Sequence, residues 1–255
     1  MECKNCERPL RTDYSFCSNC GARIVQNRLT FKNLWYDVTE RYFNVDNTFI
    51  KTFLHLFTKP EIVIGGYIQG IRKKYLNPIS YLGIALTLSG ILLFVLRKFA
   101  LDKIDLEAFG SSMKTETTRK ILNASLDISS FTFLLYIPLI AIAGWLIFNK
   151  KNYNLSEYSV AAIYAIAHYS IMSFPFSLAL SLLAPENYLS YSFVFIAIMA
   201  GYITYVVNRI HGKDLGLSLV FIMIFGIGFL MVSVFLNIIF LITGILTFQD
   251  LMPQL

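Results

Sequence analysis

The chain has 255 residues, 56% of them hydrophobic and only 15% charged, with a mean hydropathy of +0.58. That balance excludes an ordinary water-soluble domain and points to a chain that spends most of its length in lipid. The formal net charge is +6, and 12 of the 22 Lys and Arg lie in Met1–Asn77 against 7 of the 16 acidic residues, so the basic surplus adjoins the first long apolar run. There it favours anionic lipid headgroups over nucleic acid.

All four cysteines fall at the start of the chain as two C-x2-C pairs, Cys3/Cys6 and Cys17/Cys20. This spacing predicts a structural zinc site, because two such knuckles supply four thiolates without needing a large core. Gly21 after Cys20 suits a knuckle that turns with positive φ. Two disulfides would need an oxidising compartment, and the first residues (Glu2, Cys3, Lys4, Asn5) carry no cleavable secretory signal, so the N-terminus is expected to be retained. A dithiol redox pair lacks a surrounding strand–helix pattern. Four protein ligands leave no open position for water or substrate, so the expected role is structural. Arg8, Arg11, Arg23 and Arg28 give the ribbon a basic surface, but only Tyr14 and Phe16 offer stacking rings, with Phe16 expected beside the metal. A surface that docks a cytosolic protein partner or faces headgroups is therefore preferred to a nucleic-acid interface.

Aromatic and basic residues dominate 29–77. Thr30 can cap a helix with Leu34, Trp35, Val38, Tyr42 and Phe43 at three- and four-residue steps, and a second helix is expected after Asp46, with Phe49, Phe53, Leu54 and Phe57 on one face and Lys51 on another. Pro60 interrupts it. The pattern suits a helix lying in the membrane interface and equally one packed beneath a membrane domain. Gly65, Gly66 and Gly70 are followed by Arg72, Lys73 and Lys74, candidate contacts for a phosphate-bearing lipid headgroup. The same glycine spacing serves helix packing, and the basic triplet serves first as a topological anchor.

Apolar runs predict spans at Pro78–Leu96, Ser129–Phe148, Tyr158–Ala184 interrupted by Pro175, and Tyr188–Val207. The last run, Leu215–Phe248, reads as one long helix bent at Gly226 and Gly228, with a shorter pair as the alternative. The expected fold is an all-α polytopic membrane protein of about five transmembrane helices with a small N-terminal zinc ribbon. Its parts are a ribbon at 1–28, an interfacial segment at 29–77 and a helical bundle at 78–255. Reduced thiolates and the positive-inside rule both place the N-terminus in the cytoplasm, with Arg72, Lys73, Lys74, Lys150, Lys151, Arg209 and Lys213 at cytoplasmic ends and Glu186 and Asp250 outside. Against this stands the exported stretch Arg97–Ile128, which carries six basic residues and five acidic ones.

Ionisable groups inside spans are the usual trace of transport or catalysis. His168 is the exception in otherwise apolar runs, with Tyr164, Ser170 and Ser173 near enough in sequence to share an intramembrane polar site; a packing histidine is the simpler reading. Asn237 reads as glue between helices. No paired carboxylates, serine elbow, H-E-x-x-H or phosphate loop occurs, so no enzyme activity is expected. The expected role is a membrane-associated adaptor or organising protein that docks through its metal-bearing head. The alternative is a small transporter or lipid-handling protein in which the bundle is the working part.

The order CKNC…CSNCG, then FNVDNTFIKTFLHLFTKPEIVIGGYIQGIRKKYLNPISYL, then several spans, resembles a bacterial membrane family with an N-terminal zinc ribbon, classed as a domain of unknown function. The stretch TKPEIVIGGYIQGIRKKYLNP is the most specific part. Several clustered spans behind a small head are also similar in architecture to the Yip-type membrane proteins. The resemblance implies a multi-pass protein of the bacterial cytoplasmic membrane. It implies no catalytic residues.

Overall fold

In a computed structural model the described residues are 2–3, 6–10, 15–21, 45–105, 115–148, 153–212 and 214–244. The chain divides into two compact units, Met1–Val45 and Asp46–Leu255. The helix expected around Leu34 to Phe43, and the basic positions Arg11, Arg23, Arg28, Lys150, Lys151 and Lys213, lie outside the described residues.

In the first unit the described residues form two turns, the first of them flanked by an isolated antiparallel bridge between Glu2 and Pro9, and no strand. Its small core is Cys3, Leu10 and Cys17, with Cys6 packed against them. Phe16, expected beside the metal, is instead exposed. So short a segment buries too little apolar surface to hold itself, and the sulfurs occupy its centre.

The second unit is helical. Helix α1 (Val45–Thr58) and helix α2 (Pro60–Ile68) form a hairpin, with Pro60 opening α2 at a position where its missing N–H costs nothing. A connection follows, then α3 (Pro78–Val95), whose first turn is capped by Asn77 Oδ1 accepting from the Ser80 N–H at 2.8 Å. A π-helical turn, Leu96–Ala100, and a short 3₁₀ turn extend it to Lys103. Helix α4 (Thr115–Phe148) starts fourteen residues before the span expected at Ser129. The earlier start is explained by burial of Thr117, Thr118, Ala124 and Leu126.

Helix α5 (Leu155–Leu183) begins with a reciprocal capping box between Asn154 and Glu157 and runs unbroken through Pro175, so the expected interruption does not occur. Helix α6 (Tyr188–His211) ends at Gly212, whose φ is +102°, and α7 (Leu215–Ile242) is one continuous helix capped by Asp214. Gly228 serves packing. A Cβ there would come within 2.3 Å of Leu139 Cδ1, so the glycine lets α7 approach α4 closely.

Helix α5 is central and packs on α3, α4 and α6, while α7 lies mainly against α4. Ala161, Ala162, Ala165 and Ala167 are all buried, and these small side chains allow the close approach of neighbours on several sides. Among the described residues four helical segments are long and apolar enough to cross a membrane: Pro78–Lys103, Leu155–Leu183, Pro185–His211 and Leu215–Ile242. Within α4 the shorter apolar stretch Leu134–Phe148 accompanies them. Helix α7 turns Met223, Leu230, Met231, Val234 and Phe235 outward, as a lipid-facing helix does. The basic stretch after α3 is partly neutralised: Arg97 pairs with Asp127, and Arg119 with Asp102 at 2.6 Å.

Candidate functional site

In the first unit the sulfurs of Cys3, Cys6, Cys17 and Cys20 all lie within 4.8 Å of one another, with Cys3–Cys20 at 3.7 Å and Cys6–Cys17 at 3.6 Å. A tetrahedral metal with bonds of about 2.3 Å to sulfur separates its ligands by about 3.8 Å, so these four could hold one ion. Each knuckle turns through a left-handed residue just after its second cysteine: Gly21 at φ +70° after Cys20, and Glu7 at φ +57° after Cys6. The turns are closed by Glu7 N–H to Cys3 O at 2.8 Å and Gly21 N–H to Cys17 O at 2.9 Å. Main-chain N–H groups of Cys20 and Asn19 directed at the Cys17 sulfur hold its thiol below the usual range, which favours the thiolate a metal requires. Asn19 also donates to Cys6 Sγ at 3.7 Å and is itself held by Arg8 at 2.8 Å. Arg8 thus orients a group that supports the sulfurs.

In the helical unit a cavity of about 560 Å³ lies among α3, α4, α5, α6 and α7. It sits toward the end where α3 finishes, α4 begins and α5 turns into α6, an end tied together by the Asp105 N–H to Glu186 O bond and an apolar cluster of Leu96, Ala100, Ile104, Leu126 and Leu189. Its wall carries many hydroxyls, and its described lining residues include no Asp, Glu, Lys, Arg or His. Ser170, Ser173, Ser177 and Ser181 form one face of α5, and Ser89, Ser192 and Ser233 come from three other helices. Apolar side chains such as Leu92, Phe174, Phe195 and Phe229 complete it.

His168 does not line this cavity. It is fully buried one turn nearer the start of α5, with Nδ1 2.8 Å from the Tyr81 hydroxyl and its ring among those of Phe53, Phe57 and Tyr202 at centroid distances of 4.9, 4.5 and 5.3 Å. Its Nε2 has no hydrogen-bond partner among the described residues. Tyr164 shares the Tyr81 ring with His168, at centroid distances of 6.1 and 6.2 Å, but its hydroxyl donates elsewhere, to Leu76 O at 2.6 Å. Ser170 and Ser173 point away from the histidine's surroundings and line the cavity. Asn237, expected between helices, donates to Ser233 O of its own helix at 2.8 Å.

Two of the rings around His168 belong to the α1–α2 hairpin, and α6 holds that hairpin by its carbonyls. Tyr202, Tyr205 and Arg209, at three- and four-residue steps on α6, donate to Leu56 O (3.1 Å), Phe57 O (2.8 Å) and Thr58 O (3.0 Å), satisfying the free carbonyls at the end of α1. Arg209 also grips Glu61 of α2 with Nε and a terminal nitrogen at 3.1 and 2.8 Å. On the other side Thr52 accepts from Leu76 N–H at 2.9 Å, and His55 meets the Tyr75 hydroxyl at 2.7 Å. Residues 46–90 match the family described as a protein of unknown function, DUF3667. The DUF3667 match therefore covers the hairpin, the connection and most of α3. No curated protein and no solved structure matches the chain.

Within the DUF3667 region the glycines close a helix. Gly70, at φ +94°, ends α2 with Ile71 N–H to Gly66 O at 2.8 Å and Gly70 N–H to Tyr67 O at 3.1 Å, the paired bonds of a Schellman turn. The basic triplet is exposed, with Arg72 over the Tyr67 ring and Lys74 over the Tyr75 ring, each at 5.6 Å.

The sequence reading centres the bundle's polar site on His168 and Tyr164, and of the cavity's lining it names only Ser170 and Ser173, although one further signal exists. Serines at 170, 173, 177 and 181 recur at three- and four-residue steps, a polar stripe along an otherwise apolar span.

Proposed function

We propose that this multi-pass membrane protein binds an amphiphilic small molecule in the cavity of its helical unit, as a lipid-handling or small-transporter protein and not as an enzyme. The observation that carries the reading is the cavity. Its roughly 560 Å³ falls in the size range of small-molecule sites, and it combines hydroxyls gathered from several helices with apolar side chains, the mixture an amphiphile needs. In this reading α4 is a fifth crossing, with Leu134–Phe148 as its apolar part. The test is native mass spectrometry of the full chain released from membranes in mild detergent, beside Ser177→Trp, which puts an indole into the space. A bound molecule of lipid-like mass in the parent and its loss from the variant support the reading. No bound mass in the parent, or equal occupancy in both, overturns it.

A second reading is favoured by the thiolate cluster: Cys3, Cys6, Cys17 and Cys20 hold one zinc ion that stabilises a head on the cytoplasmic side, where a protein partner docks. The metal would supply folding energy and no reaction, since four protein ligands close its shell. Metal analysis of protein purified without chelator should give one zinc per chain. Disulfides in its place would refute both the metal and the cytoplasmic placement.

A further inference from the structure

Helix α1 lies across the bundle and not along one span. Phe49 meets Tyr81 of α3 at 5.9 Å, Phe53 meets His168 of α5 at 4.9 Å, and the carbonyls of Leu56, Phe57 and Thr58 meet α6, so three neighbouring helices are touched in turn. His168 stands thirteen residues, about 20 Å, from Leu155 at the start of α5, which puts α1 beside the membrane-crossing segments and not beyond their ends. At 14 residues, about 21 Å, α1 is itself too short to cross.

A helix turns about 100° per residue, which assigns the faces of α1. Thr52 and Leu56 are fully buried, and Phe49 and Phe53 pack beside them on the inward face. On one flank Ile50 and Leu54, one turn apart, are each 54% exposed. On the other flank His55 and Thr52 hold the connection by the Tyr75 hydroxyl and the Leu76 N–H, and that connection carries the exposed Arg72, Lys73 and Lys74. Lys51 falls between the two flanks on the outward side. Between Asn47 and Ser80 the chain has five Lys and Arg and one acidic residue, Glu61, whose carboxylate Arg209 holds.

We propose that this outer surface of α1 and the connection binds the anionic leaflet of the membrane the bundle spans, with Ile50 and Leu54 among acyl chains and Lys51, Arg72, Lys73 and Lys74 on headgroup phosphates. Single exposed apolar side chains signify little. Here they border a cationic strip on a helix laid against spans, which is the build of an interfacial helix. The connection runs directly into the first turn of α3, at the end of a crossing segment, where phosphates gather. Cations on that flank therefore stand at the headgroups, and the opposite flank turns to hydrocarbon. The cavity plays no part in this assignment.

The test uses the full chain in nanodiscs of equal phosphatidylglycerol and phosphatidylcholine. An environment-sensitive fluorescent amino acid replaces Leu54 or, in a second variant, Ile50; both positions are exposed, so the fold tolerates it. A nitroxide on the fifth acyl carbon should quench the fluorophore, and iodide should quench it about fivefold less than the free fluorophore. Native mass spectrometry should show phosphatidylglycerol retained over phosphatidylcholine. Lys51→Gln with Lys74→Gln, which leaves Arg72 and Lys73 as the topological anchor, should lower that preference by about fivefold or more, since each cation near an anionic surface carries about that factor. Full iodide quenching at both positions would place the flank in water and overturn the proposal. Protection from iodide and nitroxide alike would mean that a second copy or another protein covers it, and would overturn it too. Equal retention of the two lipids, or a preference unchanged in the double variant, would refute the headgroup assignment.

Discussion

Replacing Arg209 by methionine keeps the side chain's apolar stem and removes its donors. The guanidinium makes two bonds to the Glu61 carboxylate and one to Thr58 O, joining α6 to both helices of the hairpin. A hydrogen bond to a charged group contributes about 1.5–3 kcal/mol, and breaking a fully buried pair costs about 3–5 kcal/mol. Here the two side chains are 34% and 29% exposed, so water screens the pair and takes up part of the loss. A cost of about 2 kcal/mol follows, equivalent to about a 30-fold rise in the population with the hairpin detached. Hydrogen exchange read by mass spectrometry on peptides covering Phe53–Thr58 measures that population. The variant should exchange about 30-fold faster there, with α7 unchanged. Glu61→Gln alone should lose somewhat less, and the double variant should cost less than the sum of the singles by about 1 kcal/mol. Unaltered exchange in α1, or strict additivity, would show that the pair does not hold the hairpin.

Other consequences are equally direct. Gly228→Ala should destabilise the helical unit by about 1–3 kcal/mol, since Leu139 must yield, whereas Gly226→Ala, with open space around it, should be neutral or slightly stabilising; SDS unfolding in mixed micelles reads both. Glu7→Gly should tighten zinc binding and Gly21→Ala weaken it, each by about fivefold in competition with a chelating dye, because both positions have positive φ and nothing lies within 4 Å of a Cβ on Gly21. Tyr81→Phe should cost about 1–3 kcal/mol by leaving His168 without its Nδ1 partner; adding His168→Phe should recover most of that loss, since the surrounding rings accept another aromatic.

Local chemistry made much of this protein legible in its sequence. Pro78 behind Asn77 and Asn154 three residues before Glu157 start helices in almost any context, because the side chain that satisfies a free N–H is only three positions away. The two C-x2-C pairs likewise carry their own geometry, each knuckle closing through a bond between residues four apart in the chain. Tertiary structure decided what lies far apart in the chain: Tyr81 with His168, Tyr164 with Leu76, and Arg209 with Glu61. It also decided the cavity. The serine stripe of α5 is periodic in the sequence, but whether such a stripe meets lipid, a packed neighbour or a void depends on how five helices are set around it. That arrangement follows from shape complementarity summed over many side chains, which no local pattern encodes.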